Sequence, residues 1–181
     1  MEFPDADPLN RLKRKDAEAM DAWVAANTDD LYRFLRQLTR QREAAEDLTQ
    51  QTFVRALKGL QRFEGNCSMR TWLHRIAYRE YLRWRKRQRL LPPLSPWLRA
   101  SHKEFETIEE ADQLVRALDQ LPPALREAFL MFEVQDLQIE EIAEITHSPI
   151  GTVKSRLHHA RLKLREALQP TFVEVCYEQP G

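Results

Sequence analysis

Residues 136–161 read DLQIEEIAEITHSPIGTVKSRLHHAR, and this stretch contains two helical patterns separated by a turn. The apolar positions of the first pattern lie on one helix face: Ile139, Ile142, Ala143 and Thr146. Ser148 and Pro149 then suit the N-cap and the first position of a new helix. The apolar positions of that helix recur every three or four residues: Val153, Leu157, Ala160, Leu164 and Leu168. The stretch therefore predicts a helix-turn-helix.

The other side of the second helix is polar and basic. At about 100° per residue, five side chains point away from the apolar stripe or flank it: Thr152, Lys154, Ser155, Arg156 and His159. Hydroxyl, ammonium, guanidinium and imidazole groups at the exposed start of a helix suit the base edges and phosphates of a DNA major groove. An ordinary amphipathic helix hairpin has the same period, so the pattern favours DNA binding without requiring it.

A second block of helices precedes this motif. Apolar residues recur at helical steps in residues 31–38 and 42–60, and again from Met69 through Ala77 with Trp72, Leu73 and Ile76 between them. The proline-rich residues 91–96, LPPLSP, end the last of these helices. In the C-terminal block, Pro122 and Pro123 separate a helix over 111–121 from one over 124–134. We predict an all-α chain with two small helical domains, residues 16–90 and 111–170, joined by a flexible linker at 91–110.

Composition narrows the class of protein. The chain has 181 residues, 43% of them apolar, with four Gly and two Cys. Two cysteines are too few for a disulfide framework, and so few glycines favour helices over hairpins. No apolar leader is visible in the first residues, and the longest apolar run, residues 128–132, is far too short to span a bilayer. We expect a cytoplasmic protein without membrane insertion.

The zero net charge hides an uneven distribution. Residues 11–90 carry 19 basic and 10 acidic side chains, whereas residues 112–147 carry 2 basic and 8 acidic ones. Residues 70–89 contain eight Arg or Lys and a single acid, Glu80. A basic strip of this kind is typical of proteins that bind a polyanion, although a solvated helix face produces the same run.

Arginines and aromatic residues alternate within this basic strip. Arg75, Arg79 and Arg83 are spaced i, i+4, i+8, so they share a helix face suited to the phosphates of a strand. The helical period favours core packing for Trp72. Three more aromatic residues fit base stacking and helix packing equally well: Tyr78, Tyr81 and Trp84.

The chemistry of catalysis and of metal binding has little support in the sequence. His158 and His159 are adjacent rather than four residues apart, and neither Cys67 nor Cys176 has a partner at CxxC spacing. No glycine-rich phosphate loop occurs. We expect no enzyme activity, no metal site and no cofactor.

Four segments resemble the sigma-70 family of RNA polymerase sigma factors, in family order. Residues 121–129 (LPPALREAF) and 136–161 resemble region 4. Residues 45–56 (AEDLTQQTFVRA) resemble the region 2 motif that docks on RNA polymerase, and residues 63–77 (FEGNCSMRTWLHRIA) resemble the promoter-melting loop and helix. With only regions 2 and 4 present, the chain most resembles the small extracytoplasmic-function (ECF) type.

The resemblance implies a subunit that recruits core RNA polymerase, reads the −35 element as duplex DNA and captures the unpaired −10 strand. The −35 contacts it implies are Thr152, Lys154, Ser155, Arg156 and His159. Its implied −10 contacts are Phe63, Gly65, Asn66, Cys67, Ser68, Arg75, Arg79 and Arg83. Its implied polymerase contacts are Asp47, Gln50, Gln51, Phe53, Val54 and Arg55. The partners implied are therefore core RNA polymerase, promoter DNA and, as in many ECF relatives, an anti-sigma factor.

Two alternatives remain open on the sequence: a helix-turn-helix regulator that binds operator DNA without polymerase, and an interaction module whose basic face binds an acidic protein. The chain also departs from the family pattern in three places. Gln51 stands where an acid is common, Cys67 where a serine more often caps the melting helix, and Gln138 where a serine often caps the first helix of the helix-turn-helix. We expect Cys67 to weaken the cap of the melting helix.

Overall fold

The computed structural model describes residues 8–90 and 109–168, and every regular element in these two ranges is helical. The helices are α1 (Pro8–Lys13), α2 (Ala17–Thr39), α3 (Arg42–Gly59), α4 (Met69–Leu90), α5 (Glu109–Gln120), α6 (Pro123–Glu133), α7 (Ile139–Thr146) and α8 (Ile150–Leu168), with a 3-10 turn at Leu60–Arg62. The all-α prediction is confirmed. None of the described helices combines the length and apolar character needed to cross a membrane.

The described helices form two compact units. The first contains α1 to α4, and the second contains α5, α6, α8 and α7 as far as Ala143. Helix α5 begins at Glu109, two residues inside the predicted linker. The rest of that linker, residues 91–108, lies outside the described residues, as do positions 169–170 of the predicted second domain.

The core of the first unit lies where α2, α3 and α4 pack against one another. Each helix contributes apolar side chains that recur every three or four residues, as the sequence predicts for α2 and α3. The fully buried members are Leu31, Phe34, Leu35 and Leu38 of α2, Ala45, Leu48 and Ala56 of α3, and Leu73, Ala77 and Tyr81 of α4.

Helix α2 begins about fourteen residues earlier than the apolar period predicts, because a side-chain cap defines its start. Asp16 accepts a hydrogen bond from the Ala19 backbone N–H at 2.9 Å, and this bond, together with Arg11, lowers the pKa of Asp16. The short α1 packs on α2 through Leu12, which is buried. Gln61 of the 3-10 turn also donates a hydrogen bond to the Lys13 carbonyl. Helix α1 thus supports the chain just before residues 63–68.

The buried face of α4 is rotated from the predicted one. Leu73 and Ala77 are buried as expected, but Met69, Trp72 and Ile76 are only half-buried. The buried stripe instead runs on through Tyr78, Glu80 and Tyr81. For Tyr78 and Tyr81 the helix-packing interpretation is therefore the correct one, and neither ring is open to a base.

In the second unit, α5 and α6 pack against α8. A shared cluster contains Ala117 and Leu121 on the α5 side and Ala160 and Leu164 of α8. Val153 and Leu157 extend this buried stripe toward the start of α8. Leu168 was expected to continue it but is 38% exposed, since α8 ends there.

The turn between α7 and α8 is tight. His147 adopts a left-handed conformation with φ 50°, and the Ser148 N–H donates to the Ala143 carbonyl at 3.0 Å, closing α7 with a Schellman-type bond. Helix α8 begins at Ile150, so Pro149 and not Ser148 occupies its cap position. At the start of α7, Glu141 accepts the Gln138 backbone N–H at 3.0 Å, which is the glutamate half of a capping box.

Candidate nucleic-acid interface

The start of α8 presents a polar face to solvent. Lys154, Ser155 and His159 are exposed and Thr152 is half-buried, while the apolar stripe of the same helix faces the core of its unit. Arg156 donates from Nη1 to the Ser148 hydroxyl at 3.0 Å, which orients its guanidinium at the edge of the helix-turn-helix turn. The structure therefore leaves all five predicted −35 residues at least partly exposed on the side of α8 away from its apolar stripe.

A second arginine of α8, which the sequence did not single out, fixes this helix to α6. The Arg161 guanidinium contacts Glu133 with Nη2 2.7 Å from Oε1, and it also lies over the Phe132 ring at 5.3 Å. The pairing joins residues 28 positions apart, so the helical period alone could not reveal it. Arg161 thus links α8 to the end of α6, while its side chain remains 51% exposed.

The loop over residues 63–68 is buried at its first residue and exposed at its tip. Phe63 is only 6% exposed, and its ring packs on Trp72 with centroids 4.9 Å apart. The expectation that Phe63 offers its ring to a base is wrong, because the chain folds back after the 3-10 turn and places this ring against α4. Phe63 supports the loop instead.

The tip of this loop carries the accessible polar groups. Gly65 adopts φ 79°, a conformation that other residues rarely take, and the side chain of Asn66 beside it is exposed and donates to Glu64 at 3.1 Å. Ser68 accepts the Thr71 backbone N–H at 3.0 Å and so caps α4. The capping residue is therefore Ser68, one position after Cys67. Contrary to the expectation, Cys67 does not weaken the cap of α4.

The three arginines of the predicted row differ in their surroundings. Arg79 and Arg83 are exposed, whereas Arg75 is half-buried and lies with Nη2 3.5 Å from the sulfur of the half-buried Cys67. Arg83 donates to the Glu80 carboxylate, one turn earlier on α4. The three arginines therefore form an arginine face on α4, and the buried Glu80 lies next to Arg83 at its C-terminal end.

An ion pair between α2 and α4 holds the start of the basic helix. Arg70 Nε lies 3.0 Å from Asp30 Oδ2, and the buried His74 ring lies 3.6 Å from the same oxygen. Partial burial acts to raise the pKa of Asp30, but the hydrogen bond from Arg70 and the charges of His74, Arg70 and Arg33 outweigh it and lower the pKa. Asp30 and Arg70 were not predicted, and they fix α4 next to the 63–68 loop.

The exposed face of α3 matches the predicted polymerase contacts except at one residue. The exposed members are Asp47, Gln50, Gln51, Val54 and Arg55. Phe53 is 7% exposed and packs edge-on against Trp23, with ring centroids 5.7 Å apart. Assigning Phe53 to the polymerase surface is therefore wrong, because its helical position points into the core between α2 and α3.

Comparison with known proteins decides the family. Residues 23–90 match Sigma-70 region 2 and residues 111–164 match Sigma-70, region 4. The RNA polymerase sigma-H factor of Pseudomonas aeruginosa is 30% identical, over 94% of this chain and 96% of that protein. The ECF RNA polymerase sigma-E factor of Escherichia coli K12 is 33% identical, over 68% of this chain and 73% of that protein.

This chain belongs to the ECF branch of the sigma-70 family. The ECF RNA polymerase sigma factor SigE of Mycolicibacterium smegmatis is 34% identical, over 84% of this chain and 64% of that protein. A polymerase-independent operator-binding regulator does not account for the region 2 match at residues 23–90, which contains α3 and α4. Sigma factors are non-catalytic initiation factors.

The solved structures that are similar to this sigma factor include two with TM-scores above 0.6. CnrH, solved with the cytosolic domain of CnrY, superimposes with a TM-score of 0.68 at 22% identity, over 89% of this chain and 94% of that one, and this likeness concerns the fold alone. The sigma factor RpoE of Bartonella quintana, solved with the anti-sigma factor NepR, superimposes with a TM-score of 0.66 at 25% identity, over 86% of this chain and 99% of that one.

Within residues 8–90 and 109–168, no group of three His, Cys, Asp or Glu side chains is arranged to hold a metal ion.

Proposed function

We propose that this sigma factor binds core RNA polymerase through the exposed face of α3, holds the unpaired −10 strand with the 63–68 loop and the arginine face of α4, and reads the −35 duplex with α8. The observation that carries this proposal is that each of the two family regions presents a separate polar or basic surface over its own buried core. Such a subunit binds polymerase and DNA and separates the strands, and it catalyses no reaction. It acts in the cytoplasm together with core polymerase.

At the −35 element, the exposed start of α8 supplies both kinds of contact that duplex recognition needs. Lys154 and Arg156 suit guanine acceptors and phosphates, while Thr152, Ser155 and His159 offer donors and acceptors to base edges. Arg156 is already oriented by Ser148 at 3.0 Å, which lowers the side-chain entropy lost on binding. Replacing any one base contact would cost about 1–3 kcal/mol of discrimination at one base pair.

At the −10 element, the loop tip supplies edge recognition while α4 supplies charge. Unstacking a base costs a few kcal/mol, which the protein must offset with a pocket and with polar contacts. We propose that Asn66 contacts the edge of the unpaired base. Gly65 lets the strand approach the loop, since the space where a side chain would begin is open, with no neighbouring atom within 4 Å. Because Phe63 is buried, its part is to hold the floor of this loop with Trp72.

On α3, the proposed polymerase surface is polar with one exposed apolar side chain, Val54, which is 51% exposed. A polar surface of this kind suits an interface that forms and dissociates with each round of initiation. Gln51 in place of an acid leaves Asp47 as the acidic group of this face.

We further propose that an anti-sigma protein holds this sigma factor in reserve. The Bartonella quintana RpoE that it resembles was solved with the anti-sigma factor NepR. A protein that covers the exposed face of α3 or the basic face of α4 would block polymerase or strand binding directly.

Transcription in vitro with core polymerase and a genomic promoter pool tests the proposal. Sequencing the transcripts should identify promoters that share −35 and −10 elements, and their absence would contradict the proposed function. Reversing the charge with Asp47→Arg should abolish polymerase binding while leaving binding to −35 duplex intact. Asp21→Arg is the matched control: it makes the same reversal at an exposed residue of α2, outside the proposed contacts, and should retain transcription.

A further inference from the structure

Glu80 is the single acid among the eight basic residues of 70–89, and it is buried. Its side chain is 3% exposed, on the side of α4 that packs in the first unit. A buried carboxylate is costly unless charged donors satisfy it, so its partners reveal its role. A solvated basic face has no need of such a group.

The arginine partners of Glu80, Arg55 and Arg83, come from different helices. Arg55 of α3 places Nε 2.7 Å from Glu80 Oε1, and Arg83 of α4 donates from Nη1 to the same oxygen. Both arginines remain largely open to solvent, with side chains 53% and 57% exposed. One buried oxygen therefore anchors two guanidinium groups whose remaining donors are available to other molecules.

These two arginines belong to the two surfaces that we assign to polymerase and to the −10 strand. An arginine held by a buried carboxylate loses less rotamer freedom when it binds a second anion, so the anchor improves binding by pre-organisation. Because both bonds end on one oxygen, the position of each guanidinium depends on the other. A change at Glu80 should therefore affect both surfaces together.

We propose that Glu80 is a positioning residue that sets Arg55 for polymerase binding and Arg83 for binding the phosphates of the −10 strand. This inference rests on the proposed function of α3 and α4. It adds a shared element within region 2: the two binding surfaces are tied through one buried carboxylate and are not independent.

Two substitutions separate geometry from charge. Glu80→Asp keeps the charge but shortens the side chain by one methylene, so one carboxylate no longer reaches both guanidiniums. Glu80→Gln keeps the length but removes the charge-assisted bonds. Positioning predicts that each variant weakens both polymerase binding and strand binding by about threefold to tenfold. Glu46→Gln removes the same charge from an exposed pair on α3 and should change neither affinity.

The measurement uses the full chain with core polymerase, and labelled single-stranded DNA of mixed sequence bound to the holoenzyme. Arg55→Ala and Arg83→Ala provide the backgrounds for double-mutant cycles. The effect of Glu80→Asp on polymerase binding should disappear in Arg55→Ala, and its effect on strand binding should disappear in Arg83→Ala. Circular dichroism at the assay temperature verifies that each variant is folded.

Three results would overturn the inference. Additive effects in both backgrounds would mean that Glu80 acts on the fold and not through the arginines. Tighter strand binding by Glu80→Gln would mean that the carboxylate competes with phosphate. If Arg55→Ala and Arg83→Ala alone change neither affinity, the proposed surfaces themselves are wrong, and the inference falls with them.

Discussion

Replacing Asp30 by Asn should destabilise the first unit, and the loss should depend on pH. Asp30 joins α2 to the start of α4 through Arg70 at 3.0 Å, with His74 3.6 Å away. The Asp30 side chain is 29% exposed and that of Arg70 39%, so the pair is partly screened by solvent. After that allowance, removing the charge should cost about 1–2 kcal/mol at neutral pH.

The pH dependence follows from the lowered pKa of Asp30. Because the folded-state pKa lies below the ordinary value of 3.8, the pair contributes its full stability above that value and loses it as the pH falls through the folded pKa. Urea unfolding of the wild type and Asp30→Asn at about pH 5 should therefore show the full difference. The difference should shrink as the pH falls below 3.8.

The neighbouring residue provides the control. Asp29→Asn makes the same charge change one position earlier on α2, where the side chain is exposed, and should cost less than about 0.5 kcal/mol. Equal losses for the two variants, or a difference for Asp30→Asn that does not change with pH, would refute the role given to the Asp30–Arg70 pair. Because α4 leads directly from the 63–68 loop, promoter opening should fall with Asp30→Asn and not with Asp29→Asn.

Phe53→Ala should lower the free energy of unfolding by about 3–4 kcal/mol, because the Phe53 ring is buried against Trp23. Val54→Ala should leave thermal stability unchanged and weaken polymerase binding. The opposite pattern would mean that Phe53, and not Val54, contacts polymerase. Gly65→Ala should destabilise by about 1 kcal/mol through its φ of 79° alone, and Gly151→Ala, in helix α8, should be neutral or stabilising in the same melting experiment. Leu12→Ala should cost about 2 kcal/mol of local stability and speed hydrogen exchange in residues 8–15, and unchanged exchange there would show that α1 does not rest on Leu12.

The helix-turn-helix could be predicted from the sequence because its information is local. The three- and four-residue steps of Val153, Leu157 and Ala160 fix which face of α8 is buried, and hence which face is exposed. The same period gives the exposed face of α3 and places Phe53 on its core side, where the structure has it. Only the resemblance placed Phe53 among the polymerase contacts.

The parts that were not predicted depend on contacts distant in the sequence. The burial of Phe63 requires that the 3-10 turn bring it back to Trp72, and the Asp30–Arg70 pair joins residues 40 positions apart. Glu80 gave one signal, as the lone acid in a basic strip. Its partner Arg55 becomes visible only when α3 and α4 are packed together.

The central claim is that one unit binds the unpaired strand and the other binds duplex DNA, and affinities of the holoenzyme for the two forms of promoter DNA test it most directly. Asn66→Ala should weaken binding to single-stranded −10 DNA and leave binding to −35 duplex unchanged, while Ser155→Ala should do the reverse. If either variant weakened both affinities equally, the two units would not divide the promoter between them, and the account would be contradicted.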